Sequence, residues 1–337
     1  MDENNLSWLK PGGLREAVEQ EVKNTFKPTT GMLRVRSANQ VLKEAAEQPD
    51  PINLYDCLVI QNELTILFAD TGIGKTVLAV QIGIHIAKSG HRVLYIDLEL
   101  SDKQFEKRYK DDFGNHYSFP EGFFRADYTP IFEMPDDVSY EQHFLNSLIG
   151  SIDDCNAQVV IIDNMTKLAS GDTDNAKNTI PVMEGLSRLK RDRGITFIAL
   201  EHNKKVDSSR PISLNDLQGS KFKSNFADAV FTIGRSHSDN KLRYVKQLKV
   251  RSAEHIYDSE NVATFELCME GGALTFTKIG YANEYSFLKL DTDTVKKDRK
   301  QRAAEMKSEG RTNVEIAREL GVSEGAVRKW FPKTEES

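Results

Sequence analysis

Apolar residues in this chain gather into short β-rich runs: Glu63 to Phe68, Arg92 to Asp97, Gln158 to Asp163, Ile195 to Leu200, Ala229 to Ile233 and Leu242 to Val250. Between the earlier runs lie Val77 to Ser89, Tyr140 to Asp153 and Asn178 to Arg193, whose apolar positions fall at helical spacing. Strands alternating with helices need crossover connections, so the pattern predicts an α/β domain with a mainly parallel sheet covered on both faces. The later strands, including Thr264 to Met269 and Ala273 to Lys278, lack long helical spacers and predict an antiparallel extension. No internal repeat is visible.

The pattern changes at both ends. Residues 1–36 are polar, carry Pro11, Gly12, Gly13 and Pro28, and hold only a short helical pattern from Leu14 to Val22, which reads as an arm or linker. From Ser37 a helix signal in Ala38, Val41, Leu42 and Ala45 leads to Pro49-Asp50-Pro51 and the first core strand. The expected organisation is an arm over 1–36, an α/β domain over 37–285, a charged linker over 286–298 and a small all-α domain over 299–334.

Composition narrows the class. A chain of 337 residues accommodates one sizeable α/β domain and an appendage. With no apolar run of about eighteen residues and no signal peptide at its start, a cytoplasmic enzyme without a membrane segment is expected. Cys57, Cys155 and Cys268 lie far apart, which argues against a zinc site and predicts reduced, buried thiols. The formal net charge of −6 does not advertise a nucleic-acid binder, so any basic contact surface must be local.

The chemistry begins at Ala69-Asp70-Thr71-Gly72-Ile73-Gly74-Lys75-Thr76, which follows a strand and, through Val77, enters a helix. In such a loop the backbone N–H groups wrap a β-phosphate and the helix N-terminus adds positive potential, while Lys75 reaches the β/γ oxygens and the Thr76 hydroxyl ligates Mg²⁺. Ala69 stands where a first glycine is usual, whereas Gly72 and Gly74 keep permissive backbones. The run Val159-Val160-Ile161-Ile162-Asp163 is a buried strand ending in a carboxylate, which beside this loop is a second candidate for Mg²⁺. Asp97 and Glu99 are two apart and on a strand share one face, so either can be aimed at a γ-phosphate as the base that orients water.

At this point the chain resembles the RecA-fold hexameric ATPases, and within them the DnaB-type and plasmid RepA-type replicative helicases. Leu98-Glu99-Leu100 matches a family motif whose glutamate is the catalytic base, which the resemblance places on Glu99 rather than Asp97. His202 stands where this superfamily carries a polar γ-phosphate sensor at the end of a strand. Gln218-Gly219-Ser220 and Ala227-Asp228-Ala229-Val230 look like the signature that closes a mobile, channel-facing loop. The basic residues of this region, Lys204, Lys205, Arg210, Lys221 and Lys223, are in such rings placed to meet a nucleic-acid backbone. Lys249 and Arg251 match a Lys-x-Arg pair that reaches across a subunit interface to the neighbour's γ-phosphate. The similarity spans about residues 37 to 280. It implies a RecA-like P-loop core, the cofactors ATP and Mg²⁺, and a homo-oligomer, most simply a hexamer.

A separate signal closes the chain from Asn313 to Trp330. Ile316, Leu320, Val322, Val327 and Trp330 are apolar at helix-turn-helix spacing, Ala317 is small where two helices cross, Gly321 suits the turn and Ser323 suits a cap. The segment resembles the DNA-binding helix-turn-helix of transposon resolvases and sigma-like regulators, with Arg328 and Lys329 on the second helix as expected duplex contacts. A hairpin used for packing or assembly is the alternative. The whole reads as an ATP-driven helicase or translocase ring acting on DNA in replication or mobilisation of a plasmid, phage or similar element. The alternatives are an ATP-dependent DNA-binding regulator or recombination accessory ATPase without unwinding, and a KaiC-like signalling ATPase whose terminal domain binds protein.

Overall fold

Side-chain parity along the central strands decides the architecture. In β3 (Leu64–Ala69) the even residues Leu64, Ile66 and Phe68 enter one apolar cluster, and the odd residues Leu67 and Ala69 enter another. A strand alternates its side chains between faces, so both faces of this sheet are covered. The computed structural model describes residues 34–128, 137–168, 176–204, 207–289, 292–320 and 324–331. The expected pattern at Leu14 to Val22 lies outside them.

The chain divides into two units, Met1–Pro51 and Ile52–Ser337. In the first, α1 (Ala38–Ala46) starts at Ser37, whose hydroxyl accepts from the Gln40 N–H at 3.2 Å, and none of its residues is buried. The second opens with an antiparallel pair, β1 (Asn53–Tyr55) and β2 (Val59–Ile60), followed by β3, α2 (Lys75–Lys88), β4 (Val93–Asp97), α3 (Asp102–Arg108) and β5 (Phe123–Ala126). Then come α4 (Tyr140–Cys155), β6 (Val159–Asp163), α5 (Ala176–Arg193), β7 (Thr196–His202), α6 (Ser220–Phe226) and β8 (Ala229–Arg235). The strands β9 (Leu242–Lys249), β10 (Val262–Glu270) and β11 (Ala273–Ala282) precede three helices, α7 (Thr292–Ser308), α8 (Asn313–Leu320) and α9 (Glu324–Trp330).

The main sheet has nine strands in the order β11-β10-β9-β8-β3-β7-β6-β4-β5. Pairings from β8 through β5 are parallel, and those from β8 through β11 are antiparallel. This is the expected parallel sheet with an antiparallel extension: a RecA-like α/β core followed by C-terminal helices. Helix α2 packs Leu78, Ile82 and Ile86 on the face that also holds Tyr95, Ile161 and Ile198. It comes close because of Gly83, where a Cβ would stand 2.7 Å from the Phe123 ring. On the other face α4 and α5 bury Leu148, Ile152, Val182 and Leu186 against Ile66, Val160 and Phe197.

Several short elements were not read from the sequence, among them α6, which falls in the stretch read as a mobile loop. The β1–β2 pair and β5 are only three, two and four residues long, too short for a period to show. Helix α3 has a largely polar sequence, and its signal is a capping box in which the Ser101 side chain and the Gln104 backbone and side chain satisfy each other. The expectation of buried thiols holds for Cys155; Cys57 and Cys268 are half-buried, and all three cysteines are free.

Among the described residues no helix is long and apolar enough to cross a membrane. The C-terminal helices share a small core of Ala303, Met306, Ile316, Ala317 and Val327. Gly321, Val322 and Ser323, the expected turn and cap, lie outside the described residues.

Candidate nucleotide site

Because β3, β4, β6 and β7 are parallel neighbours, their carboxyl ends deliver side chains to a single edge of the sheet. The loop Asp70–Gly74 leaves β3 there. Gly72 and Gly74 have φ of +74° and +114°, a region that costs a residue with a Cβ. A Cβ on Gly72 would meet nothing within 4 Å, so this side of the loop opens onto free space. The other side is tight: a Cβ on Gly74 would come within 2.9 Å of the Phe276 ring on β11.

Lys75 begins α2 and is buried at 7% exposure, its Nζ donating to the carbonyls of Ala69 at 2.7 Å and Asp70 at 3.1 Å. Burial lowers its pKa, opposed by the nearby carboxylates of Asp163, Glu99, Asp70 and Glu201. The Thr76 hydroxyl donates to Asp163 Oδ2 at 2.6 Å, and the Tyr95 hydroxyl donates to the same oxygen at 2.9 Å. Burial raises the Asp163 carboxyl to about 6, while Thr76 and Tyr95 pull it down. A hydroxyl and a carboxylate in contact beside a glycine loop suit Mg²⁺, which prefers few protein oxygens and completes its shell with phosphate and water. The residues present therefore fit a magnesium nucleotide.

Asp97 and Glu99 do not share a strand face, because β4 ends at Asp97 and Glu99 sits in the bend beyond it. Asp97 is buried, its Oδ1 accepting the backbone N–H groups of Glu99 at 3.2 Å and Leu100 at 2.9 Å. Its Oδ2 accepts from Arg125 Nε at 3.1 Å. Arg125, on β5, also donates to Asp102 at 2.7 Å, Asp127 at 3.0 Å and the Leu100 carbonyl at 2.7 Å. Asp97 is thus consumed in shaping the bend that presents Glu99. The Glu99 side chain keeps 38% exposure and faces the cleft.

His202 ends β7 with Nδ1 3.4 Å from Lys75 Nζ and Nε2 3.1 Å from Asn164 Nδ2. Burial and the Lys75 charge lower its pKa, which favours the neutral ring. Next to it Glu201 is fully buried and paired with Lys223 of α6 at 2.8 Å. Burial raises the pKa of that carboxyl and Lys223 opposes the rise. Gly72, Gly74, Lys75, Thr76, Glu99 and His202 line a cleft of about 580 Å³. Lys107, Arg108 and Tyr109 wall it on one side and Leu267, Met269 and Leu274 on another.

The family comparison bears on this constellation. A family model described as an AAA domain matches residues 33–208, more than half of the 337 residues. The chain belongs to the AAA domain family. No curated protein matches the sequence. Among solved structures, a KaiC-like protein from the hyperthermophilic archaeon Pyrococcus horikoshii is similar at 15% identity with a TM-score of 0.47, over 66% of this chain and 94% of that one. This AAA domain is a P-loop ATPase of RecA-like fold, and membership implies ATP binding.

The remaining expected site residues lie elsewhere in the AAA domain protein. Lys249 ends β9 and Arg251 follows two residues beyond it; β9 runs antiparallel to β8 with Lys249 opposite Val230, so they stand at the edge of the sheet away from the phosphate loop. Lys249 donates to the carbonyls of Ser224 and Ala227, each at 2.7 Å. Arg251 donates to Asp228 Oδ1 at 2.6 Å and keeps 59% of its side chain exposed. The exposed Lys204 reaches the Asn215 carbonyl at 3.3 Å, and Arg210 is held by both oxygens of Asp216. Lys205 lies outside the described residues. Arg328 pairs with Glu324 one turn earlier on α9 at 2.7 Å, and Lys329 is exposed. Tyr95, Asn164 and Arg125 were missed from the sequence, whereas Lys223, expected to meet a nucleic-acid backbone, is instead buried in its pair with Glu201. For Asn164 a signal existed, since it follows the acidic strand end directly; Tyr95, and Arg125 in all its contacts but the one to Asp127, bond residues distant in sequence.

Proposed function

We propose that this ATPase works as an oligomer, a ring of the DnaB or RepA helicase type, whose ATP sites are completed by a neighbouring copy and whose turnover drives movement on DNA. One observation carries the reading. The Lys249 and Arg251 pair lies at the opposite edge of the sheet from the chain's own phosphate loop, with β3 alone spanning about 16 Å between the edges at a strand's rise per residue. Cations so placed cannot serve their own nucleotide, yet Arg251 is largely exposed and Lys249 partly so, which leaves them open to another subunit's. In that arrangement Arg251 exchanges Asp228 for phosphate oxygens, adding positive charge where the transition state spreads negative charge.

Within one subunit the roles follow from the geometry. The glycine loop and Lys75 hold the β- and γ-phosphates. Thr76 and Asp163 would hold Mg²⁺, which when bound would neutralise phosphate charge. Glu99, exposed to the cleft, orients the attacking water and takes its proton. His202, beside Lys75, senses the γ-phosphate, and its strand continues into the segment bearing Lys204. That segment is the proposed contact for a single-stranded backbone, and α8 with α9 is the proposed helix-turn-helix that reads a duplex with Arg328 and Lys329. Such a protein acts in the cytoplasm, on DNA of a replicating or mobile element.

The test is strand displacement on a forked duplex, run together with ATPase in the presence and absence of single-stranded DNA. The reading expects DNA to stimulate ATPase and ATP to drive unwinding. Stimulation without unwinding would favour a DNA-binding regulator, and no response to DNA would favour a signalling ATPase.

A further inference from the structure

Asn164 is the buried polar residue of the cleft to which the nucleotide reading gives no task. It is 1% exposed. The Thr166 hydroxyl donates to its Oδ1, so its Nδ2 faces the two groups opposite. It donates to Glu99 Oε1 and lies 3.1 Å from His202 Nε2. His202 and Glu99 do not meet directly, since their nearest polar atoms are 4.0 Å apart. Asn164 fills the gap between them. With Lys75 Nζ 3.4 Å from His202 Nδ1, the order Lys75, His202, Asn164, Glu99 forms a continuous polar path from the phosphate-binding ammonium to the base.

A neutral imidazole offers a lone pair on only one nitrogen. Here both nitrogens face donors, the Lys75 ammonium at one and the Asn164 amide at the other. The ring can accept from one of them at a time, so its choice depends on where the ammonium points. A γ-phosphate that draws Nζ onto itself leaves the ring free to accept from Asn164. The amide has two hydrogens, one for His202 and one for Glu99.

We propose that Asn164 is a positioning residue that ties the base Glu99 to the sensor His202, so that the carboxylate is held in attacking geometry when a γ-phosphate occupies Lys75. This rests on Glu99 being the base. Thr166 belongs to the same device, because its hydroxyl fixes which end of the amide faces the cleft.

Steady-state ATPase of the full-length protein tests this with Asn164→Ala, Thr166→Val, Glu99→Gln and the double variant Glu99→Gln/Asn164→Ala. Misplacing the base predicts a kcat lower by about tenfold or more in Asn164→Ala and a smaller fall in Thr166→Val, with KM for ATP unchanged. In the Glu99→Gln background the Asn164 change should cost nothing further, because residues acting as one unit are not additive. A structural role alone would give independent, multiplying losses. Wild-type kcat in both Asn164→Ala and Thr166→Val, or losses that multiply in the double variant, overturns the proposal while leaving Glu99 as base. Wild-type turnover in Glu99→Gln overturns the base assignment and this proposal with it. Should Asn164→Ala fail to fold, Thr166→Val, at a partly exposed position, decides the matter alone.

Discussion

Lys75 and Glu99 face the same cleft and are asked for different things. The ammonium supplies charge to the phosphates, so Lys75→Ala should lose tight nucleotide binding and hydrolysis together. The carboxylate only orients water, so Glu99→Gln should bind ATP and stall. Equilibrium binding of a fluorescent ATP analogue beside steady-state turnover separates the two, and normal turnover in Glu99→Gln would move the base elsewhere. Asp97 is a poor second candidate, since its oxygens are taken by the Glu99 and Leu100 N–H groups and by Arg125. At this scale the glycine loop, Thr76 and Asp163 were legible because their chemistry demands residue types at fixed spacing. Asp97 was misread as a partner of Glu99 on one strand face, because where a strand ends depends on tertiary pairing that spacing does not encode. Arg125 gave no signal, since its partners Asp97, Leu100 and Asp102 lie 23 to 28 residues away and the adjacent Asp127 alone marks nothing.

The segment after the sensor strand shows how an element is fixed by charges buried at its base. Glu284, fully buried, accepts from Lys246 at 2.6 Å, from the Ile212 N–H at 2.8 Å and from the Tyr244 hydroxyl at 3.2 Å, and Lys246 also donates to the Ile212 carbonyl at 2.8 Å. Residues near Ile212 are thereby tied to β9 while Lys204 stays exposed. Removing one partner of a buried pair leaves the other charge uncompensated, so Lys246→Met should cost about 3–5 kcal/mol of stability. Adding Glu284→Gln should recover part of it, and denaturant titration of the wild type, the two single variants and the double variant measures both effects. A loss in the double variant equal to the sum of the two single losses would show that the pair is not coupled. Strand and helix order in the core was legible because parity and helical period follow from burial. The edge strand β5 and the short α3 were not, because neither is long enough to repeat its pattern.

For the whole molecule, the proposed function gives DNA two contact surfaces, and they should behave differently. Contacts through Lys204 and its neighbours neutralise phosphates, so single-strand binding should be largely indifferent to sequence and fall steeply with salt. A chain ending before Asp291 should keep its ATPase and single-strand binding and lose preference for duplex sites, as read by gel shift on duplexes from its own genetic element. If the truncated chain kept duplex binding and instead fell apart as an oligomer, the terminal helices would serve assembly. The RecA-like core was legible from alternation and the glycine loop together, whereas the proposed assembly rests on two cations, Lys249 and Arg251, whose distance from their own phosphate loop the fold alone reveals.

A site shared between copies is the centre of this account, and mixing subunits tests it most directly. Arg251→Ala should fold, bind ATP and hydrolyse slowly, and Lys75→Ala should not bind ATP tightly. In a mixture of the two, some interfaces join an intact phosphate loop to an intact Arg251, so ATPase should rise above the sum of the separate proteins. Mixed activity equal to that sum at every ratio, with wild-type specific activity independent of protein concentration and no assembly at any concentration, would contradict a site completed by a neighbour.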